Sequence, residues 1–600
     1  MFELDRPDNL VAMFKESVAR FGANPWLGTK NVSGDGYDWV TYQQVAQRVD
    51  HLRGGLAALG VSRGDSVGII ANNRVEWAVA CYATYGLGAR FVPMYEAELE
   101  KTWRYIIADS QVKVLLVSKA PLNEVVKEWP ADIETLETVI LIEGDGQNSM
   151  AALEAVGARS PVAARHPAAD DIAGLIYTSG TTGAPKGVLL SHGNLTSNVH
   201  AACKTFHSLD HRLRTLSFLP WAHSYGQTAE LHFIMRLGGS TGFAESPATI
   251  VDDLLLVRPT FLVAVPRIFN RIYDGINARM QDQGGLAKAL FDMGLRAGKV
   301  RRRLAREGRR SLLNQIQFKL VDAVVFKKIR DKFGGQLQCS LSSSAALSPH
   351  IAEFFEDIGM PVYEAWGMTE ISPAGTLNSP EAYRIGSVGK PIDKVRLVID
   401  TRLSEPGSRE GELIVYGPNV MKGYHNQPEA TRTVFTEDGG LRTGDRAYID
   451  EDGYLYITGR IKEQYKLENG KFVFPAAIEE EIKLLPIVEH AMLYGINRAF
   501  NVCLIYPDFG VLVRWARKNN LPTDPQEMVR HARVRELFND AITSHLKGKF
   551  ASYEIPKRLI LLSEGFSVEN GMLTQTLKLK RREVLKQYLP TIEAVYKTVA

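Results

Sequence analysis

Cysteine is scarce in this sequence and long hydrophobic runs are missing. Four cysteines occur in 600 residues, Cys81, Cys203, Cys339 and Cys503, each far from the next and without a partner at metal-ligand spacing. That argues against a disulfide framework or a structural zinc site and predicts buried thiols in a reducing, cytoplasmic setting. No stretch approaches the roughly 18 uninterrupted apolar residues of a spanning helix, so contact with a membrane is expected to be peripheral. The opening MFELDRPDNLVAMFKESVARF is acidic early and amphipathic, which predicts a helix and no export signal. An excess of one charge is lacking too: 71 Lys and Arg stand against 68 Asp and Glu, a formal +3. This gives no case for nucleic acid as a partner. Internal repeats and low-complexity tracts are absent, which removes solenoids and propellers. What is there, 45% apolar and 23% charged residues, is ordinary globular usage at a length that favours more than one domain. Nothing in it sets the oligomeric state.

Between about residues 40 and 460, apolar runs such as Ser66 to Ile70, Val112 to Val117 and Ile172 to Tyr177 alternate with helix-like segments such as Tyr42 to Leu59 and Pro349 to Ile358. The order predicts an α/β fold of layered sheets and covering helices. From Lys394 to Gly459 the texture changes to short β-rich pieces divided by Gly, Pro and Asp, which predicts a β subdomain. A boundary is placed at Gly459 to Lys462. It divides a large N-terminal domain, 1–459, from a hinge at 460–462 and a small α+β C-terminal domain, 463–600, in which Pro475 opens a helix that Pro486 closes.

The run Tyr177 to Gly187, YTSGTTGAPKG, follows the apolar IAGLI and precedes a helix-like segment from Gly193, a strand-to-loop-to-helix order. Gly180, Gly183 and Gly187 let a backbone approach closely, Thr178, Ser179, Thr181 and Thr182 offer hydroxyls, and Lys186 supplies a mobile cation. A phosphate cradle is the natural use. The spacing is not that of an ordinary P-loop, because Pro185 stands where the second glycine would be.

This string resembles the phosphate loop of the adenylate-forming superfamily of acyl-CoA synthetases, carrier-protein ligases and luciferases. The likeness extends over nearly the whole chain, in matching order, through Tyr363 to Glu370 (YEAWGMTE), Arg442 to Asp445 (RTGD), Thr458 to Arg460 (TGR) and a C-terminal lysine segment. The resemblance implies a nucleotide site of Thr178, Ser179, Gly180, Thr181, Thr182, Gly183, Lys186, Tyr363, Trp366, Gly367, Thr369, Asp445 and Arg460. In it Trp366, where relatives usually have Tyr, packs on adenine, and Thr369 donates to phosphate. Asp445, reinforced by Arg460, takes the ribose hydroxyls, and Glu370 holds Mg²⁺, a hard ion that prefers oxygen. Thr182, Lys186, Glu370 and Lys578 are the catalytic set it implies, with Lys578 bridging carboxylate and α-phosphate and Lys580 the alternative. Lys462 is the implied hinge. The turn Ser342 to Leu347 departs from the usual Gly-Gly-Ala-Pro and predicts a shifted adenine contact.

The stretches GRIKEQYKLENGKFVFPAAIEEEI and VDAVVFKKIRDKFGGQL resemble long-chain fatty acyl-CoA synthetases more than aryl-CoA ligases. The implied reaction joins a medium- or long-chain fatty acid to coenzyme A through an acyl-adenylate, consuming ATP. His223, in LPWAHSYG, would guide the carboxylate. Activation of another acid, or for a carrier-protein thiol, is the alternative, and a nucleotide-binding protein without chemistry is disfavoured because Glu370, Asp445, Arg460 and Lys578 are all present. The basic GKVRRRLAREGRRSLLNQ fits either an anionic lipid surface or a solvated helix face.

Overall fold

The alternating apolar runs become strands of one seven-stranded sheet, ordered Gly423–Tyr424, Lys186–Ser191, Ile172–Thr178, Arg90–Met94, Ser66–Ile70, Val112–Val117, Thr138–Leu141. The strands from Ile172–Thr178 onward run parallel. Their central member Ser66–Ile70 is buried throughout, as a strand covered on both faces must be. The computed structural model describes residues 5–178, 185–246, 248–402, 404, 407–461, 463–574 and 578–597. Helix Tyr42–Ala58 packs against helices Val75–Gly86 and Met150–Arg159, buries an apolar stripe from Val45 to Leu56, and is opened by a Thr41–Gln44 capping box.

One local expectation is corrected. The phosphate-loop segment returns as a strand, Lys186–Ser191, paired antiparallel with Ile172–Thr178 so that Lys186 faces Thr178. The helix expected from Gly193 is present as His192–Thr205, opened by a Ser191–Asn194 capping box. The aliphatic Val188, Leu189 and Leu190 after Gly187 suit a sheet position better than a helix start.

A second sheet, Phe261–Ala264, Cys339–Ser342, Val362–Gly367, Ala374–Leu377 and Lys390–Pro391, carries the YEAWG strand. The β-rich stretch forms a four-stranded antiparallel sheet from Arg396–Asp400 to Leu455–Arg460. Between the second sheet's first two strands the chain runs through helices Pro266–Gln283, Gly285–Arg306 and Leu312–Val321, a wide turn Asp322–Phe326, and helix Lys327–Asp331. From Tyr465 onward, buried apolar residues gather into two clusters of their own around the sheet Val488–Tyr494, Val502–Pro507, Arg558–Leu561. An Arg267–Glu489 ion pair at 2.9 Å joins this part to the rest. All four cysteines are buried and unpaired, and no helix among the described residues is long and apolar enough to cross a membrane.

Candidate active site

The two parts enclose a cavity of about 1960 Å³ lined from both sides. Alternation along strand Val362–Gly367 turns Glu364 and Trp366 to one face and Tyr363 to the other. Glu364 and Trp366 line the cavity. Tyr363, expected at the nucleotide, points away: its ring lies 6.2 Å from Phe206 and edge-on to Tyr383 at 5.0 Å, inside the core. Gly367 is obligatory, since a Cβ there would sit 1.9 Å from the Pro373 carbonyl oxygen. The Trp366 indole donates from Nε1 to Asp445 Oδ2 at 2.8 Å, and Arg460 Nε lies 3.1 Å from Oδ1. Strand register sets that pair, because Asp445 stands opposite Arg460. Burial pushes the Asp445 carboxyl above its usual range, while the Arg460 charge and the Trp366 hydrogen bond hold it down. Each of its oxygens keeps a lone pair for a ligand hydroxyl.

Glu370 is 9% exposed and accepts from the Tyr424 hydroxyl at 2.8 Å, so it is less open than a free pocket carboxylate. Lys186 Nζ sits 4.7 Å above the Tyr424 ring. Tyr424 thus links the lysine at the mouth of the phosphate loop to the carboxylate expected to hold metal, a role that no motif announced. Thr178 lines the cavity, and Thr369 exchanges a hydrogen bond of 3.1 Å with Ser224. Ser179, Gly180, Thr181, Thr182 and Gly183 lie outside the described residues.

His223 caps a short helix: its Nδ1 accepts from Tyr225 N at 3.2 Å. Burial, with the nearby Lys578 charge, lowers its pKa to about 3. Its ring is therefore neutral with the proton on Nε2, a donor at the cavity wall. Behind it Glu230, fully buried, accepts from Ser217 Oγ and from Trp221 Nε1 at 3.3 Å. Desolvation raises its pKa to about 8 despite those bonds. Asn73 accepts from Trp221 N at 2.8 Å and donates to Leu219 O at 2.7 Å, so Asn73 and Glu230 together fix the loop that presents His223.

Lys578 enters from the C-terminal part on a narrow turn in which Leu573 pairs with Leu579 and Thr574 Oγ1 accepts from Lys578 N at 3.0 Å. Its exposed side chain faces the cavity, where lost solvation lowers its ammonium pKa; Arg460 adds to the effect and Asp445 opposes it. Lys580 lines the same cavity, but it is the Lys578 charge that acts on Asp445, Arg460 and the neutral His223 ring. Lys462 lies outside the described residues. Among the described residues no group of three or more His, Cys, Asp or Glu could cage a metal.

Glu364 was not foreseen. Leu347 N donates to its Oε1 at 3.1 Å, its Oε2 has no partner among the described residues, and burial raises its pKa to about 7. Its position two residues before Trp366 on a strand was the available signal. In the neighbouring turn Ser344 adopts φ 76, the left-handed conformation glycine takes at least cost. Serine there meets the need for a turn at a cost of about 1 kcal/mol.

A sheet-built cavity with a buried Asp–Arg pair on one wall, a carboxylate beside an anion-seeking lysine on another, and a second lysine brought in by a separate C-terminal part defines a two-part nucleotide-handling enzyme. The chain belongs to the AMP-binding enzyme family: the family's model matches residues 14–425, and that of the AMP-binding enzyme C-terminal domain matches residues 462–600. It is 31% identical to the long-chain-fatty-acid–CoA ligase FadD15 of Mycobacterium tuberculosis over 99% of this chain and 98% of that protein. It is 32% identical to the peroxisomal long chain acyl-CoA synthetase 6 of Arabidopsis thaliana, over 99% and 87%. Two solved structures share the fold. The adenylation domain of a Mycobacterium chelonae carboxylate reductase has a TM-score of 0.78 at 22% identity, covering 98% of this chain and 91% of that one. An anthranilate CoA ligase with anthranoyl-AMP has a TM-score of 0.73 at 20% identity, covering 97% and 98%.

Proposed function

We propose that this chain is an acid–thiol ligase that uses ATP to activate a medium- or long-chain fatty acid as its acyl-adenylate and passes the acyl group to coenzyme A, releasing AMP and pyrophosphate. The observation that carries the reading is the convergence of His223, Glu370, the Asp445–Arg460 pair and Lys578 on one cavity whose wall continues as Ala202, Phe206, Ala229, Phe233 and Leu341. Polar groups for a carboxylate and a nucleotide thus adjoin an apolar wall for an alkyl chain. Two relatives named for long-chain fatty-acid–CoA or long-chain acyl-CoA synthesis, each matched over 99% of this chain, support the same substrate class.

In the first step a carboxylate oxygen of the acid attacks the α-phosphorus of ATP and pyrophosphate leaves. His223 donates from Nε2 to the carboxylate and aims it. Asp445 accepts from the ribose hydroxyls with Arg460 holding its charge, and Trp366 and Glu364 face the base. Lys578 neutralises negative charge growing at the α-phosphate, where a preorganised cation in a dry site acts most strongly. Glu370 fits Mg²⁺, which takes one or two carboxylates and fills its other positions with water and phosphate oxygens; when bound it screens the phosphate charge. In the second step the thiol attacks the acyl carbon and AMP leaves. Lys578 stands over the centre that the thiol must reach, so we propose that residues 463–600 act as a lid turning about Lys462 between the steps. A reducing, cytoplasmic setting suits the four unpaired thiols. A fatty acid that partitions into bilayers gives the chain a reason to rest on lipid.

Pyrophosphate exchange across acids of increasing length tests the reading. Exchange with medium or long fatty acids, followed by thioester formation with coenzyme A, is expected. Exchange without coenzyme A acylation would assign a carrier-protein acceptor, and no exchange with any acid would leave a binding protein.

A further inference from the structure

We propose that the outer face of residues 312–331 is a membrane-docking surface that seats on bilayers carrying anionic phosphate headgroups. The helical segment is apolar on two sides. Its inner side, including Val321, Phe326 and Ile329, is buried in the core. On the other side Leu312 is 78% exposed, Leu313 82%, Ile316 67% and Leu320 59%, with Val324 at 42%. Leu312, Ile316, Leu320 and Val324 recur every fourth residue, so at about 3.6 residues per turn they form one ridge. With Leu313 they make up five of the thirteen exposed large hydrophobic residues among the described residues. Clustering of this kind marks an interaction site, whereas scattered exposed leucines do not.

Charge selects the occupant. Residues 299–332 hold twelve Lys and Arg against three Asp and Glu, a net +9 in a chain whose total is +3. The remaining residues therefore carry −6; of the +9, residues 299–311, just before the ridge, carry +6 and residues 312–332 carry +3. Among the described residues none of Arg310, Lys319, Lys327 and Lys328, all exposed, is in an ion pair. A two-fold dimer through this ridge would set exposed basic side chains against their own copies, which disfavours a second copy. An apolar ridge flanked by basic side chains matches the boundary of an anionic bilayer: the aliphatic side chains reach the acyl layer while the cations meet phosphates. The element is held for that task. Arg302 pairs with Asp357 and, at 3.2 Å, with Glu353, and Asn314 Nδ2 donates to Ala297 O at 3.0 Å. The ridge is therefore fixed to helix Pro349–Asp357, whose first residue lines the cavity.

The geometry does not depend on the fatty-acid reading, which only supplies its use. Flotation of the full chain with vesicles of phosphatidylcholine alone or mixed with phosphatidylglycerol tests it without any enzymatic step. Binding is expected on the anionic vesicles only, and it should fade as salt rises from about 0.01 to 1 M and the Debye length falls from about 30 to 3 Å. The triple variant Leu312→Ser, Leu313→Ser, Ile316→Ser should weaken binding at least tenfold. So should the quadruple variant Arg310→Gln, Lys319→Gln, Lys327→Gln, Lys328→Gln, since each neutralised charge costs about fivefold. Both variants touch only exposed side chains, and both should keep pyrophosphate exchange at the parent rate. Equal binding to neutral vesicles, no binding to either kind, or binding indifferent to both variants overturns the proposal. A parent dimer that the triple serine variant turns into a monomer would assign the ridge to a second copy and overturn it as well. Vesicle binding without exchange would leave this surface standing and remove the fatty-acid reading.

Discussion

The cavity and the helical segment 312–331 violate the ordinary sorting of side chains in opposite directions. In the cavity, ionisable groups are taken from water: Asp445 is 3% exposed and Glu364 5%. In the segment, leucines stand in water, Leu313 at 82%. Both arrangements cost stability, the first through desolvation and the second through unburied apolar area. The difference lies in how the cost is offset. Cavity charges lean on one another and on hydrogen bonds inside the protein, while the ridge has nothing to cover it. A region satisfied by its own partners is built for a small ligand that slots among them, and one left uncovered is built for a surface.

The contrast would break most visibly at Lys578. Lys578→Ala should lower acyl-adenylate formation about 10²- to 10³-fold, on the scale of one lost charge-stabilising donor. Thioester formation from supplied acyl-adenylate should change little, and the melting temperature should hold, because the Lys578 side chain is exposed and its loss removes no core packing. Equal loss of both half-reactions would make Lys578 a general binding residue and remove the lid proposal. Glu370→Ala should reduce Mg²⁺-dependent exchange by about two orders of magnitude, with Glu370→Gln no better, since an amide does not replace a carboxylate toward a hard cation. Parental exchange in either variant would remove the metal assignment.

A smaller effect is expected at His223. His223→Ala should raise KM for the acid about tenfold and leave KM for ATP alone; a rise confined to ATP would place it at the wrong substrate. The pH profile sharpens the same point. A ring with a pKa of about 3 stays neutral across the working range, so kcat/KM for adenylation should show no acid limb from His223. Lys578 is charged at low pH and its pKa lies below the 10.5 of ordinary lysine. Activity should therefore fall as pH rises, at a midpoint under that value, and Lys578→Arg should move the limb upward.

The smallest effect concerns Glu230. Its pKa of about 8 in the folded chain lies above the 4.5 of the free side chain, so the folded state holds the proton more tightly. Its contribution to stability is complete below pH 4.5 and is lost as pH rises toward 8. Glu230→Gln, which mimics the protonated form, should flatten the fall of melting temperature over that window with little change in exchange. A slope identical to the parent's would show that Glu230 is ionised in the folded chain.

The α/β layering was legible because strands buried on both faces read as continuous apolar runs, and Ser66–Ile70 and Val112–Val117 fall at the places that pattern marks. The glycines and hydroxyls of 177–187 led to an expected phosphate cradle, but the strand Lys186–Ser191 was missed: VLL is equally apolar in either state, and only pairing with Ile172–Thr178 decides between them. Tyr363 was assigned to the nucleotide because a motif is read as a block, whereas a strand deals its side chains alternately, sending Tyr363 into the core and Glu364 into the cavity. Tyr424 escaped notice because it lies 54 residues from the Glu370 it touches.

Residue types and their order along the chain were enough to raise the kind of chemistry expected here: a polyanion cradle at 177–187, a carboxylate for a cation, a cation at 578. Local spacing carries that information, because glycine, hydroxyl and charge act through their own bonds and dihedrals. Which of these groups meet was decided only by the tertiary structure. It placed Asp445 between Trp366 and Arg460, stripped water from His223 and Glu230, and set five apolar side chains of residues 312–324 outside. The physical reason is that solvation and charge coupling depend on neighbours distant in sequence, so a side chain's pKa or exposure is a property of its surroundings and cannot be read from the letter alone.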